Sequence, residues 1–124
     1  MGHPVSLSTP TGRIGAWRAD PPNPPRGAIV VAQEIFGVNP HIRHVVDRFA
    51  AHGWVAIAPA FFDHVEPHVE LAYDADGVAR GRDLAAQVGF DRVVGDIEAA
   101  ARELETTTDS GKVAVVGYCW GGTA

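Results

Sequence analysis

The single cysteine of this sequence, Cys119, lies in a glycine-rich segment that directly follows an apolar run at residues 112–116. The pattern Gly117-x-Cys119-x-Gly121 after a predicted strand is typical of a sharp strand-to-helix turn that holds a nucleophile in a strained conformation. A thiol at a helix start also lies near the positive end of the helix dipole, which favours the thiolate. The pattern therefore indicates nucleophilic catalysis, with the backbone N–H of Trp120 directed at the oxyanion that forms on an attacked carbonyl.

A structural interpretation of the same cysteine stays open. Free cysteine is among the most buried residue types, so Cys119 beside a glycine-rich turn is also compatible with simple packing. The apolar run before the turn and the small residues at 122–124 favour catalysis. They predict a strand before the cysteine and a helix after it, which is the structural context of a nucleophile turn.

The strands that would position this turn are recognisable as short apolar runs. Continuous apolar runs at 27–32, 54–58 and 112–116 are typical of strands covered on both faces, as in a parallel sheet. Residues 5–8 and 13–18 are predicted to form an antiparallel hairpin at a sheet edge.

Helices are predicted between the apolar strands. Asn39-Pro40 is a helix-start signal, and the residues after it place apolar side chains on one face as far as Gly53. Residues 60–79 are predicted to be irregular and polar, residues 80–88 to form a short helix, and Asp91 to cap a longer one. This alternation predicts a three-layer α/β fold with a mostly parallel sheet, in which residues 1–124 are the amino-terminal portion of a single domain.

Charge and composition exclude some classes of partner. The formal net charge is −5 and no basic stretch stands out, so we expect neither nucleic acid nor a membrane as partner. The apolar runs are far shorter than the roughly 20 residues of a membrane span, and the first residues do not form a signal-peptide pattern. With one cysteine, an intramolecular disulfide cannot form, and we expect a cytoplasmic protein.

Two motifs together resemble the dienelactone hydrolase family. They are GYCWGG at residues 117–122 and QEIFGVN at residues 33–39, and their pairing is much more specific than either motif alone. Ala58-Pro59 and GDIEAA at residues 95–100 are also similar to that family, so the resemblance covers most of the chain from about Gly27 onward. It implies an α/β-hydrolase-like fold that is incomplete here, the carboxyl-terminal strands and helices being missing.

The resemblance implies specific roles around the cysteine. In that family a cysteine opens an enol-lactone, carboxymethylenebutenolide, through an acyl-enzyme, which assigns the nucleophile to Cys119. Glu34 matches the glutamate that takes the thiol proton when substrate enters. Until then the thiol stays uncharged, which protects it from oxidation. The backbone N–H groups of Ile35 and Trp120 would form the oxyanion hole. A solvated loop carboxylate is the alternative interpretation of Glu34.

The resemblance implies that the substrate is a small lactone or ester, and it implies no cofactor. The family holds the substrate carboxylate with arginine, and Arg80 and Arg82 lie in the corresponding region of the chain. Either side chain is equally compatible with a solvated helix charge.

The histidines are predicted to lie on the surface. His41, His44 and His52 lie on or beside the predicted helix after Asn39 and are expected to face solvent. His64 and His68 belong to an acidic segment that is interpreted as an ordinary polar surface loop, with a metal site as the alternative.

The sequence departs from the family after the cysteine. The family triad needs an aspartate and a histidine beyond the nucleophile, and the sequence ends at Ala124. We therefore expect little or no turnover from the 124-residue chain alone, and an exposed strand edge where later strands would pair.

Three hypotheses of function follow. The first is a thiol hydrolase acting on a lactone or small ester. The second is a non-catalytic module that binds a partner or self-associates through its uncovered sheet. The third is a redox-active or metal-binding chain that uses Cys119 or the segment of His64 and His68.

Overall fold

A computed structural model describes residues 2–105 and 113–117. The strands are β1 (His3–Thr9), β2 (Gly12–Ala19), β3 (Gly27–Ala32), β4 (Trp54–Pro59) and β5 (Val113–Gly117). The helices are α1 (Pro40–Ala51), α2 (Ala75–Val88) and α3 (Phe90–Glu105), and a 3₁₀ turn at Phe61–His64 follows β4.

The strands form one mixed sheet in the order β1-β2-β4-β3-β5. The three apolar strands run parallel, with β3 between β4 and β5, and the hairpin β1–β2 joins β4 in antiparallel pairing. The predicted hairpin and the parallel order of the apolar strands are both confirmed. Parallel strands end at the same edge of a sheet, so the segments that follow β3, β4 and β5 leave at one edge.

Alternate residues of β3 face opposite helices, which produces three layers. Ala28 and Val30 pack in a cluster that includes Ala100 and Leu104 of α3. Ile29 and Val31 pack in a second cluster on the other side of the sheet, which includes Ile42, Val46 and Ala50 of α1. The continuous apolar run of this strand is thereby explained, because both of its faces are covered.

Helix α1 begins as its sequence predicts. The Asn39 side chain accepts a hydrogen bond from the backbone N–H of Ile42 at 3.1 Å, and Pro40 is the first helical residue. Gly53 follows the end of the helix with a φ of 98°, the left-handed conformation that glycine adopts without strain. The three histidines in and beside α1 are exposed, as expected.

Two helix boundaries differ from the prediction. Helix α2 begins at Ala75 rather than at residue 80, because Asp74 caps it by accepting a hydrogen bond from the backbone N–H of Gly77 at 2.7 Å. Helix α3 begins at Phe90, one residue before the predicted cap Asp91.

The segment after β4 is not uniformly polar, so that part of the prediction is wrong. Phe61 and Phe62 are buried and pack against Leu84, Val88 and Val93 of the helices. A pair of aromatic side chains therefore fixes the 3₁₀ turn beneath α2 and α3.

Strand β5 lies at the end of the sheet and presents apolar surface. Val115 is 52% exposed, and the uncovered edge stays a prediction. Self-association through this surface stays a prediction. In the part of the chain that is described, no helix combines the length and the apolar character that a membrane crossing requires.

Candidate active site

Glu34 lies in a tight turn at the carboxyl end of β3. Strand β3 ends at Ala32, and the backbone N–H of Gly37 donates to the carbonyl oxygen of Glu34 at 3.3 Å. Gly37 has a φ of 92°, and a Cβ at this position would collide with the carbonyl oxygen of Val69. Glycine is therefore required where residues 65–74 pass over the turn.

The buried side chain of Gln33 anchors this turn from below. Gln33 is only 1% exposed, and its amide Nε2 donates to the carbonyl oxygen of Glu34 at 2.8 Å. Its Oε1 accepts a hydrogen bond from the backbone N–H of Phe61 at 3.0 Å. Both ends of one amide thus tie the Glu34 turn to the 3₁₀ turn that follows β4.

The carboxylate of Glu34 is held by a tyrosine that the sequence did not indicate. The Tyr73 hydroxyl donates to Glu34 Oε1 at 3.0 Å and accepts from Asn39 Nδ2 at 2.9 Å. The Tyr73 ring lies 4.4 Å from the Phe36 ring, centroid to centroid. Partial burial raises the pKa of Tyr73, and the hydrogen bond and charge of Glu34 raise it further, whereas the Asn39 hydrogen bond opposes the shift.

Helix α2 packs directly against the turn at Gly81. A Cβ on Gly81 would collide with the carbonyl oxygen of Ile35, so the helix approaches as closely as it does because residue 81 has no side chain. Arg80 and Arg82 flank this contact and are exposed. Arg80 pairs with Glu66 at 3.4 Å and with Asp83 at 3.7 Å. A role for either arginine in substrate binding stays a prediction.

Cys119 and Trp120 lie outside the described residues. The strand that leads to them is described, and its register is fixed: Gly117 of β5 pairs with Ala32 of β3. Cys119 follows Gly117 by two residues, just as Glu34 follows Ala32 by two.

The prediction that His64 lies in a polar surface loop is wrong. Its side chain is only 3% exposed, and its Nε2 lies 2.8 and 2.9 Å from the two carboxylate oxygens of Asp96, which is fully buried in α3. Burial raises the pKa of Asp96 above its usual 3.8, although the hydrogen bond and charge of His64 oppose the shift. His68, by contrast, is exposed.

The His64–Asp96 pair is a further anchor of the 3₁₀ turn, beside the Gln33 amide. Asp63 Oδ2 accepts a hydrogen bond from the backbone N–H of Gly15 in β2 at 2.8 Å. Across residues 2–105 and 113–117, His, Cys, Asp and Glu side chains form no group of three or more that is arranged to hold a metal ion. The buried pair therefore connects the 3₁₀ turn to α3.

The arrangement at this edge defines a class of protein. A mixed sheet whose three apolar strands run parallel, with helices on both faces and a tight turn at Glu34 after the central strand, is the architecture of an α/β-hydrolase. The sequence model of the dienelactone hydrolase family matches residues 14–124. The chain belongs to the dienelactone hydrolase family.

Individual relatives agree with this assignment. The chain is 38% identical over 124 residues to carboxymethylenebutenolidase of Pseudomonas putida, covering 95% of this chain and 51% of the relative. It is 36% identical over 116 residues to carboxymethylenebutenolidase 1 of Cupriavidus pinatubonensis, covering 90% of this chain and 48% of the relative. The chain thus spans about half the length of these relatives.

Solved structures show the same fold. A crystal structure described as "Putative Dienelactone Hydrolase" from Klebsiella pneumoniae has a TM-score of 0.82 and 28% sequence identity, covering 98% of this chain and 51% of that one. An α/β serine hydrolase from Xanthomonas campestris has a TM-score of 0.64 at 12% identity, covering 97% of this chain and 51% of that one, and this likeness concerns the fold alone.

Proposed function

We propose that this chain supplies the nucleophile and its base to a hydrolase that opens a lactone or cleaves a small carboxylic ester through a cysteine acyl-enzyme. The observation that carries the proposal is the register between β3 and β5, which pairs Ala32 with Gly117. Neighbouring strands lie about 4.8 Å apart, and the residues two positions beyond such a pair leave at the same edge of the sheet. Glu34 and Cys119 are those residues.

The chemistry follows from a thiol beside a carboxylate. Glu34 takes the thiol proton of Cys119, and the thiolate attacks the carbonyl carbon of the substrate to form a carbon–sulfur bond. The negative charge that develops on the carbonyl oxygen is stabilised by the backbone N–H groups of Ile35 and Trp120. The bond to the alkoxy or enol oxygen then breaks, and that oxygen leaves with a proton. Water cleaves the resulting thioester to a carboxylic acid and restores the thiol.

The described half of the site is built for a fixed geometry. The carbonyl oxygen of Glu34 accepts from both Gln33 and Gly37, and α2 packs against Ile35 at the next position. A backbone turn fixed in this way can present an N–H group to an oxyanion without reorganising during the reaction, which is the main source of such stabilisation. The fixed turn supports the assignment of the Ile35 N–H to the oxyanion hole.

The position of α2 favours a substrate that carries its own carboxylate. Arg80 and Arg82 flank Gly81, the residue at which α2 contacts the turn that carries the proposed base. A guanidinium there would bind a carboxylate through charge-assisted hydrogen bonds. On this basis we expect one of the two arginines to contribute to the KM for an anionic lactone but not for a neutral ester.

The experiment measures hydrolysis of carboxymethylenebutenolide and of a neutral ester by the full-length gene product. Cys119→Ala is expected to lower kcat by about 10³-fold or more, and Glu34→Gln by about 10²-fold or more. His44→Gln, a change of an exposed residue on α1, serves as the control and should leave kcat unchanged.

Two outcomes would contradict the assignment. Full activity in Cys119→Ala, with an unchanged circular dichroism spectrum, would exclude Cys119 as the nucleophile. Equal losses on the anionic and neutral substrates in both Arg80→Ala and Arg82→Ala would exclude a role of either arginine in binding a carboxylate.

A further inference from the structure

We propose that Tyr73 is a positioning residue that holds the Glu34 carboxylate in a reserve orientation until substrate enters. The proposal rests on the proposed function, because it takes Glu34 as the base. It adds a device that restrains the base: the hydrogen bond from the Tyr73 hydroxyl to Glu34 Oε1 opposes movement of the carboxylate toward the thiol of Cys119.

The hydrogen bonds at Tyr73 form a chain in which Asn39 donates to the hydroxyl and the hydroxyl donates to Glu34. Asn39 is buried, and its Oδ1 already accepts from the backbone N–H of Ile42 at the start of α1. That contact fixes the orientation of the amide, so its Nδ2 donates to the Tyr73 hydroxyl at 2.9 Å. A hydroxyl has one proton to donate. With its oxygen occupied by Asn39, Tyr73 directs that proton to Glu34 Oε1, 3.0 Å away.

The Tyr73 side chain is anchored although it is 61% exposed. Its ring packs on Phe36 with centroids 4.4 Å apart and planes inclined at 52°. On one side of it in the chain, the backbone N–H of Leu71 donates to the carbonyl oxygen of Phe36 at 2.9 Å. On the other side, Asp74 caps α2. Both neighbouring segments are thus fixed, and the hydroxyl is presented to Glu34 from a defined position.

The physical consequence concerns the free protein. A carboxylate that accepts from a fixed donor is restricted in orientation, and breaking that hydrogen bond has a cost that opposes its movement toward the thiol. Without the hydroxyl, Glu34 is free to reach the thiol in the absence of substrate, and a larger fraction of Cys119 is present as the reactive thiolate. A net hydrogen bond of ordinary strength corresponds to about a 3- to 10-fold change in that fraction.

The test measures the rate at which iodoacetamide alkylates Cys119 in the full-length gene product without substrate. Tyr73→Phe keeps the ring on Phe36 and removes only the hydroxyl, and it is expected to raise the alkylation rate by about 3- to 10-fold. In a Glu34→Gln background the same change is expected to have no effect. A merely structural role of Tyr73 would instead produce the same effect in both backgrounds.

The proposal is overturned if Tyr73→Phe alkylates at the rate of the unmodified protein, or if the change has an equal effect with and without Glu34. That failure is distinguishable from failure of the proposed function, which is decided separately by whether Cys119→Ala abolishes hydrolysis. Asn39→Ser provides a second variant, because serine still caps α1 but cannot donate from Nδ2 to the tyrosine. It leaves the Tyr73 hydroxyl in place and removes only the contact that orients it, so it should raise the alkylation rate by less than Tyr73→Phe does. A rise larger than that of Tyr73→Phe would contradict the proposal.

Discussion

Removal of the Asp96 carboxylate is expected to destabilise the protein far more than removal of an exposed charge from the same helix. Asp96 has no exposed side-chain surface, and its partner His64 is only 3% exposed, with His64 Nε2 2.8 and 2.9 Å from the two oxygens. Truncation at Asp96 would therefore leave a polar ring nitrogen buried without its partner. It would also release an anchor of the 3₁₀ turn, whose Phe61 donates to Gln33.

The expected loss in the free energy of unfolding depends on the state of the His64 side chain that remains buried without its partner. Breaking a fully charged buried pair costs about 3–5 kcal/mol, whereas an unsatisfied neutral donor costs about 1–3 kcal/mol. Because Asp96→Ala removes the carboxylate that the structure places against the buried His64 Nε2, we expect about 3 kcal/mol, where these two ranges meet. Asp96→Asn retains an acceptor oxygen for His64 and should cost about 1–2 kcal/mol.

A control for this prediction is available on α3 itself. Arg102 and Glu98 pair at 3.5 Å, and their side chains are 65% and 62% exposed. An exposed pair four residues apart on a helix contributes only about 0.3–0.5 kcal/mol, so Arg102→Ala should have a small effect.

The assay is urea unfolding of the full-length gene product, followed by far-ultraviolet circular dichroism. The free energy of unfolding is compared among Asp96→Ala, Asp96→Asn and Arg102→Ala. If Asp96→Ala costs no more than Arg102→Ala, the buried pair does not stabilise the fold and the reasoning is refuted.

Three further predictions concern acidity and close packing. Because burial raises the pKa of Asp96 above 3.8, the folded state binds more protons than the unfolded state above that pH, so the stability from this group falls as pH rises through the folded pKa. Asp96→Asn should lack that fall in urea titrations from about pH 4 upward, and parallel profiles would contradict it. Gly81→Ala should destabilise α2 by about 1–3 kcal/mol in the same assay. Gly95→Ala, where a Cβ meets nothing closer than 3.7 Å, should be neutral or stabilising, and equal effects would contradict the packing argument. Glu34→Gln should lower the pKa of Tyr73, measured by NMR titration of labelled tyrosine, and an unchanged pKa would exclude the contact.

Local patterns were sufficient to predict most of the fold. The apolar runs that form β3 and β4 are buried on both faces. Asn39, whose side chain caps the helix, and Pro40 mark the start of α1. The start of α2 was missed because residues 75–79 include Gly77 and Asp76, which have weak helix propensity, and because the cap at Asp74 was not recognised. Tertiary packing of the buried Gly81 against the backbone of Ile35 compensates for that weak propensity.

The candidate site was predictable only in part, since its contacts join distant residues. Glu34 could be selected from its place directly after a buried strand, but its partner Tyr73 is 39 positions away across an irregular segment. His64 and Asp96 are separated by 32 positions. One signal for that pair was present: Asp96 lies three residues after Val93 and four before Ala100, both buried, which places a carboxylate on the apolar face of α3. A buried carboxylate requires a partner, but the sequence does not identify which histidine supplies it.

The central claim is that Cys119 forms an acyl-enzyme, and trapping that intermediate tests it most directly. The full-length gene product is mixed with an activated ester, quenched in acid during turnover, digested and analysed by mass spectrometry. The account predicts that the peptide containing Cys119 gains the mass of the acyl group, and that Cys119→Ala neither gains it nor turns over the ester. Sustained turnover with an unmodified Cys119 peptide, or with alanine in place of the cysteine, would contradict it.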